Sequence, residues 1–218
     1  MPVAIRNLHI EYPGQLVFDS VDMDVADNEI VAVETQVLDG GTSLLRGIGG
    51  FLNDVGGEVN LNGVDLLTCI PAERAVRVGY VYEDHGLVSL YTVYENIVLP
   101  LLFHTELSDD EIHGRVSEVC TSLNLDEALF AHRPHQLNDV QTRLVNLARG
   151  LIINPELMLI DEPEGGMSEE YLHDTMVTLR EKQQINPMAI IITTSDDFVL
   201  EKADRVFRIE NHNLMPEQ

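Results

Sequence analysis

Two acidic residues, Asp161 and Glu162, directly follow the apolar run 157–160. A short run of this kind is typical of a buried strand, so the pair stands where a strand ends. Carboxylates in such a place can ligate Mg²⁺ or act as a general base. The same pattern arises when a core strand simply ends in solvated acids, and the residues alone leave both interpretations open.

A second candidate site lies between the β-branched run 30–33 and a helical pattern that starts at Thr42. The intervening loop, residues 35–41, contains Gly40 and Gly41. A strand, a glycine-containing loop and a helix together form a unit that binds phosphate through the backbone N–H groups at the helix start. The loop is therefore a candidate phosphate-binding site.

The elements that position these residues alternate between strands and helices. Period-two alternation over the first thirty residues predicts an antiparallel sheet, and the runs at 30–33, 157–160 and 189–192 predict buried parallel strands. Helices are predicted from Ser108 onward, at 139–151 and at 169–183. We therefore predict an α/β fold with a mainly parallel sheet, an antiparallel β-subdomain and a helical subdomain.

The domain organisation follows from the same pattern. One domain is predicted over residues 1–218. Its antiparallel sheet and glycine-containing loop occupy about 1–84, its helical subdomain about 85–150, and the rest of the core about 151–218.

The composition argues against several classes of function. With 37 acidic and 13 basic residues the net charge is −24, which disfavours nucleic acid and anionic lipid surfaces as direct partners. The two cysteines are far apart without metal-ligand spacing, which favours a reducing compartment over a disulfide or zinc framework. The first ten residues have no basic start before an apolar stretch, so no secretory signal is predicted.

Ordered segments along almost the whole chain resemble the landmarks of ABC transporter ATPases. Residues 134–141 resemble the signature motif Pro-x-x-Leu-Ser-Gly-Gly-Gln, 157–163 the Walker B strand, 33–46 the Walker A region and 78–84 the Q-loop region. The resemblance implies an ABC-type P-loop NTPase fold, ATP with Mg²⁺ as cofactors and an integral membrane permease as partner. Within the family, residues 99–108 are most similar to Mla-type, MCE-associated phospholipid-transport ATPases.

The resemblance also implies a role for individual residues. Glu162 stands at the position of the general base, and Asp161 and Thr42 stand at the metal-binding positions. Tyr12 stands where the family stacks an aromatic ring on adenine, although a tyrosine before Pro-Gly is also an ordinary strand-end residue. The positions implied to contact nucleotide are Tyr12, Gly40, Gly41, Thr42, Ser43, Glu83, Asn138, Asp139, Gln141 and Ser195.

Several of these positions depart from the family pattern. Gly41 replaces the Walker A lysine, and Asp39 puts a carboxylate where phosphates would lie. Glu83 replaces the Q-loop glutamine, residues 138–140 replace Ser-Gly-Gly, and Ser195 replaces the switch histidine. Because electrostatic stabilisation dominates phosphoryl transfer, these changes predict a pseudo-ATPase in which Glu162 is vestigial.

Alternative functions remain open from the sequence. The chain could be an active or weak ATPase, or a soluble interaction module on an ABC scaffold. A cluster of Asp39, Glu83, Asp161 and Glu162, with Thr42 nearby, could bind a divalent cation without nucleotide.

The expected partner is an integral membrane permease, alone or together with a competent ATPase subunit of the same transporter, which would place the chain at the cytoplasmic face of the membrane. Residues 87–91 could form the permease-docking surface or pack in the core. Self-association is expected to be weak. Surface or polar roles are expected for the scattered histidines, including His85.

Overall fold

The computed structural model describes residues 3–83 and 86–217, and it has the predicted α/β fold with two sheets. The strands are β1 (Val3–Tyr12), β2 (Gln15–Val25), β3 (Ile30–Glu34), β4 (Gly56–Leu61), β5 (Val64–Asp65), β6 (Val78–Val81), β7 (Leu157–Asp161), β8 (Ala189–Thr194), β9 (Arg205–Glu210) and β10 (Asn213–Pro216). The helices are α1 (Gly41–Ile48), α2 (Pro71–Ala75), α3 (Val93–His104), α4 (Asp109–Ser122), α5 (Asp139–Leu151), α6 (Glu169–Ile185) and α7 (Asp197–Lys202).

The predicted antiparallel sheet is present, with strand order β2-β1-β4-β5. Val3, Ile5, Leu8 and Ile10 of β1 are buried, and the register shift between Ile5 and Leu8 keeps this apolar set on one face. Alternation in the sequence therefore reflects a sheet with one buried face.

The second sheet has six strands in the order β10-β9-β3-β8-β7-β6. All neighbouring strands are parallel except β10, which pairs antiparallel with β9 at the edge. Every residue of β7 and β8 is buried, which explains their continuous apolar character. Because parallel strands end at a common edge, this sheet brings the ends of β3, β7 and β8 together.

A hydrophobic core covers each face of the six-stranded sheet. Residues at alternate positions of β7 divide between the cores: Leu157 and Leu159 pack with the antiparallel sheet and α1, and Met158 and Ile160 pack with the helices α3 to α7. The antiparallel sheet and the helical part are thus held on opposite faces of one central sheet.

The helical part contains α3, α4 and α5. Helix α5 has the predicted bounds 139–151, with Leu144, Leu147 and Leu151 buried. The start of α4 is fixed by Glu111, whose Oε2 accepts the backbone N–H of Ser108 at 2.8 Å. The expected start of the helical subdomain at 85, the Asp84 end of the Q-loop match and the polar role of His85 lie outside the described residues.

Candidate functional site

Asp161 lies at the end of β7 and accepts hydrogen bonds from three hydroxyl groups. Its side chain is buried, since the residue is 2% exposed. Thr193 of β8 donates to Oδ1 at 2.8 Å, Thr42 of α1 donates to the same oxygen at 3.3 Å, and Tyr80 of β6 donates to Oδ2 at 3.4 Å. The fold therefore brings together Asp161 and Thr42, the two metal-binding positions that the sequence indicated.

Tyr80 and Thr193 were not among the residues that the sequence analysis selected. Both lie on strands that neighbour β7 in the sheet. Because adjacent parallel strands end together, hydroxyl residues near the ends of β6 and β8 are the signal that would have identified them.

Burial dominates the electrostatics around Asp161. It raises the pKa of the Asp161 carboxyl, although the three hydroxyl donors and the positive charge of Arg46 on α1 act in the opposite direction. The pKa of the Tyr80 phenol is also raised, chiefly by burial and then by the negative charge of Asp161. The protein therefore holds this carboxylate through hydrogen bonds and at an electrostatic cost.

In the loop between β3 and α1, the Asp39 side chain is bonded to the loop's own backbone. Its Oδ2 accepts the N–H of Gln36 at 2.5 Å, and its Oδ1 accepts the N–H of Gly41 at 3.2 Å. Gly40 is the N-cap of α1 and has a φ of 100°, where a side chain would be strained. The carboxylate of Asp39 therefore satisfies an N–H of the first turn of α1.

Thr35 and Gly41 fit each other across the base of this loop. A Cβ atom on Gly41 would lie 2.5 Å from Cγ2 of Thr35 and 3.3 Å from Cγ2 of Thr193. Thr35 is 4% exposed, and its hydroxyl has no hydrogen-bond partner among the described residues. The methyl group of Thr35 thus occupies space that any larger residue at position 41 would need.

Glu162 has a constrained backbone and a carboxyl group in an acidic environment. Its φ is 43°, its N–H donates to the Thr193 carbonyl at 3.0 Å, and its carbonyl accepts from Nη1 of Arg143 at 2.8 Å. Burial raises the pKa of the Glu162 carboxyl first, and the negative charges of Glu83, Glu164, Asp161 and Asp39 raise it further.

The predicted four-carboxylate metal cluster is wrong in its geometry. Within residues 3–83 and 86–217 no group of three or more His, Cys, Asp or Glu side chains is arranged to hold a metal ion. Asp39 turns to its own backbone, and Asp161 is enclosed by hydroxyl groups. Besides burial, the negative charges of Glu83 and Asp39 raise the pKa of the Glu162 carboxyl, but among the described residues these carboxylates do not form a joint ligand set.

Asn138 and Gln141 form the capping box that starts α5. The Asn138 side chain accepts the N–H of Gln141 at 2.8 Å, and the Gln141 side chain accepts the N–H of Asn138 at 3.0 Å. Asp139 is exposed and packs against the loop after β7, since a Cβ on Gly166 would lie 2.8 Å from its Cβ. The side chains of Asn138 and Gln141 are therefore both occupied in capping α5.

Ser195 is bonded to Glu164, another residue that the sequence analysis did not select. Its backbone N–H donates to Oε1 of Glu164 at 2.7 Å, and its hydroxyl donates to the same oxygen at 3.3 Å. Oε2 of Glu164 is buried without a hydrogen-bond partner among the described residues. The switch position thus fixes a loop carboxylate in this chain.

A cleft of about 760 Å³ joins the candidate residues on one side of the molecule. The Tyr12 hydroxyl lies 3.2 Å from Oγ of Ser43, so the ring lies beside the start of α1. The cleft is lined by Tyr12, the loop residues 36–43, Glu83 and Glu162, together with Asn211 and His212, which no sequence signal indicated. Glu83 and Asp139 line a second cleft of about 330 Å³, whereas Asn138, Gln141 and Ser195 line neither.

Introducing a lysine at position 41 should destabilise the protein. Because its Cβ would overlap the Thr35 methyl group, Gly41→Lys should cost about 1–3 kcal/mol in the free energy of unfolding, as overpacking usually does. In urea unfolding, the Thr35→Gly/Gly41→Lys double variant should lose less free energy of unfolding than the sum of the losses in the two single variants.

Gly114→Lys is the matched control, because a Cβ there meets nothing within 4 Å and the residue lies on the exposed face of α4. Additive effects of Thr35→Gly and Gly41→Lys would contradict the proposed packing of these two residues.

Replacing Asp161 by asparagine should give a pH-dependent gain in stability. The folded-state pKa is raised above its ordinary value of 3.8, so the ionised carboxylate costs stability above the folded pKa and costs none below 3.8. Asp161→Asn should therefore raise the Tm at neutral pH, with a gain that shrinks as the pH falls toward 3.8. The exposed Asp54→Asn is the control, and a gain independent of pH would count against a charge effect.

Comparison with known proteins identifies this arrangement. The family model described as "ABC transporter" matches residues 18–165. The lipoprotein-releasing system ATP-binding protein LolD of Psychrobacter arcticus is 30% identical over 199 residues, which is 89% of this chain and 88% of that protein. The sulfate/thiosulfate import ATP-binding protein CysA of Bradyrhizobium diazoefficiens is 32% identical over 210 residues, 94% of this chain and 60% of that protein.

A solved structure shows the same fold. The bacterial ABC transporter cassette MJ0796, in its dimeric form, superposes with a TM-score of 0.91 at 23% identity, over 99% of this chain and 98% of that one. The family model covers more than half of this chain, and the strand, loop and helix of the same fold surround Asp161 and Thr42. The chain therefore belongs to the ABC transporter family, among its ATP-binding subunits.

Proposed function

We propose that this chain is an ABC transporter subunit that hydrolyses ATP very slowly or not at all. The observation that supports this most strongly is the phosphate-binding loop, which presents Gly41 in place of a cation and Asp39 bonded to the loop N–H groups. No lysine or arginine lines the cleft among the described residues, whereas Asp39, Glu83 and Glu162 do.

The cofactor pair of the family, ATP with Mg²⁺, fits these residues only in part. Asp161 and Thr42 supply adjacent oxygen atoms of the kind that Mg²⁺ prefers. The polyphosphate does not fit, because it would meet the Asp39 carboxylate where it needs N–H donors, and Thr35 fills the place of a longer side chain at Gly41. Loss of one stabilising group in such a site commonly costs about 3 kcal/mol of transition-state stabilisation.

The second candidate function is that of a weak ATPase which energises transport. The observation in its favour is the preserved contact between Asp161 and Thr42, with Glu162 following in the chain. An inactive subunit is favoured over a weak ATPase, because Asp161, Thr42 and Glu162 cannot replace the missing positive charge beside the transferred phosphoryl group.

Measurement of Mg-ATP turnover tests the proposal. We expect the purified wild-type protein to release phosphate no faster than Glu162→Gln, because the carboxylate has no correctly bound polyphosphate on which to act. A wild-type rate that the Glu162→Gln substitution abolishes would show instead that the site is an active ATPase.

The proposed partner is an integral membrane permease, and it docks on residues 88–91. Leu87 packs against the core, whereas Leu90 is 75% exposed and Val88 and Tyr91 are also exposed. The fully buried Asn96 holds this segment: its Nδ2 donates to the carbonyls of Val88 at 3.1 Å and Tyr91 at 3.3 Å, and its Oδ1 accepts the N–H of Val88 at 2.7 Å. This is a fixed apolar surface of the kind that marks a protein interface.

Docking on the permease would hold this chain at the membrane, and we propose a peripheral position at its cytoplasmic face. Among the described residues no helix has both the length and the apolar character needed to cross a bilayer. The relatives named above are described as serving lipoprotein release and sulfate or thiosulfate import, so they do not support the expected Mla-type phospholipid cargo, and we assign no cargo.

Cysteine cross-linking tests the docking surface. In a Cys69→Ser background, where the remaining Cys120 is buried, Leu90→Cys should cross-link to an integral membrane protein in native membranes, with the product identified by mass spectrometry. Val177→Cys on α6, at a residue that is 43% exposed, is the control. Equal yields from the two positions would argue against docking at residues 88–91.

We further propose that self-association is weak and that a competent ATPase subunit completes the transporter. In the head-to-tail dimer implied by the resemblance, Asp139 of one copy would face Asp39 of the other without phosphates between them, and like charges repel. Light scattering at moderate salt should therefore show a monomer, and a stable dimer without nucleotide would contradict this.

A further inference from the structure

Asp39 supplies the anion for the amino end of α1. The N-cap residue Gly40 offers no side-chain cap, and the first turn of α1 contains no acidic residue. The N–H groups at a helix start carry partial positive charge and attract anions. Among the described residues, the Asp39 carboxylate meets this need by accepting the N–H of Gly41 at 3.2 Å.

The same carboxylate closes the loop into a ring. It also accepts the N–H of Gln36 at 2.5 Å, so one side chain joins both ends of the segment 36–41. These backbone donors, in a loop before a helix, are the groups through which a polyphosphate would bind. The Asp39 side chain and a bound phosphate would therefore need the same N–H groups.

The loop retains an unfavourable conformation around this contact. Leu38 has a φ of 69° and is 96% exposed, so an apolar side chain in the left-handed region points into solvent. A conformation of this kind costs about 1 kcal/mol or more and persists where surrounding bonds determine it. Two hydrogen bonds between Gln36 and Asp39 span this residue: the Asp39 carboxylate accepts the N–H of Gln36 at 2.5 Å, and the N–H of Asp39 donates to the Gln36 carbonyl at 3.3 Å.

We propose that Asp39 is the specificity-determining residue that excludes polyphosphates from this site, because its carboxylate acts as an intramolecular substitute for a phosphate group. The inference deepens the proposed function and rests on it in part: absence of hydrolysis would follow from exclusion of the substrate, in addition to the missing lysine. The affinity for polyphosphate should therefore rise when Asp39 is replaced, even with Thr35 and Gly41 unchanged.

Two substitutions remove the charge of Asp39 and differ in how many of its hydrogen bonds they remove. Asp39→Ala removes both and frees the N–H groups of Gln36 and Gly41. Asp39→Asn removes the charge and one of the two acceptor oxygens, so the side chain can keep only one of the bonds to the N–H groups of Gln36 and Gly41. The matched control is Asp126→Ala, which removes an aspartate that caps the short helix Glu127–Leu129 through the N–H of Ala128 at 2.8 Å, in the helical part of the molecule.

The experiment is calorimetric titration of the full-length protein with inorganic pyrophosphate and with Mg-ATP. We expect Asp39→Ala to bind both probes about tenfold or more tightly than the wild type, a change of about 1.4 kcal/mol in binding free energy. The affinity of Asp39→Asn should lie between those of the wild type and Asp39→Ala, and the affinity of Asp126→Ala should equal that of the wild type. Wild-type affinity in both Asp39 variants would overturn the proposal.

Other readouts keep this test independent of the proposed function. If Asp39→Ala does not fold, as judged by circular dichroism, the Asp39→Asn comparison decides the question. Glu162-dependent turnover in the wild type would contradict both the exclusion of polyphosphate and the inactive-subunit proposal, whereas tighter binding to the Asp39 variants with no wild-type turnover would support both. Unchanged binding in the Asp39 variants, with no turnover in the wild type, would overturn the inference and leave the inactive-subunit proposal supported.

Discussion

The positive end of α1 needs a negative partner, and the rest of the site follows from which partner it has. In a loop built to bind polyphosphate, the backbone N–H groups at a helix start stay free for the ligand. Here the Asp39 carboxylate takes the N–H of Gly41 and also that of Gln36. The helix end is thereby satisfied within the chain, and the loop has a closed form that needs no bound anion.

The neighbouring residues are consistent with this arrangement. Thr35 places its methyl group 2.5 Å from where the Cβ of a longer residue at position 41 would lie, so the packing at the base of the loop fits glycine there. The buried Asp161 is surrounded by the hydroxyl groups of Thr42, Tyr80 and Thr193. The sheet edge thus fixes the positions of Asp161 and its hydroxyl donors, while the Asp39, Glu83 and Glu162 carboxylates that line the cleft would repel an anion.

Much of the fold could be predicted from the sequence, because local signals and periodicity agreed. The bounds of α5 follow from the Asn138 and Gln141 capping box and the spacing of its buried leucines. The meeting of Asp161 with Thr42 followed from a resemblance in which strand, loop and helix occur in a fixed order.

The parts of the site that could not be predicted depend on side-chain direction and non-local contacts. A carboxylate in a loop can face a ligand, a neighbouring carboxylate or its own backbone. The sequence does not reveal that the Asp39 carboxylate faces the backbone of its own loop. The four-carboxylate cluster was wrong for this reason. The contact between Thr35 and Gly41 and the pairing of Ser195 with Glu164 likewise depend on loop dihedral angles that no periodic pattern encodes.

The most direct test of the central claim, that the loop satisfies its own anion site and rejects polyphosphate, is thermal unfolding of the wild-type protein with and without Mg-ATP. A ligand that binds only the folded state raises the Tm, by an amount that increases with the logarithm of its concentration relative to Kd. The account predicts the same Tm in the presence and absence of Mg-ATP. A Tm that rises steadily with Mg-ATP concentration would contradict it.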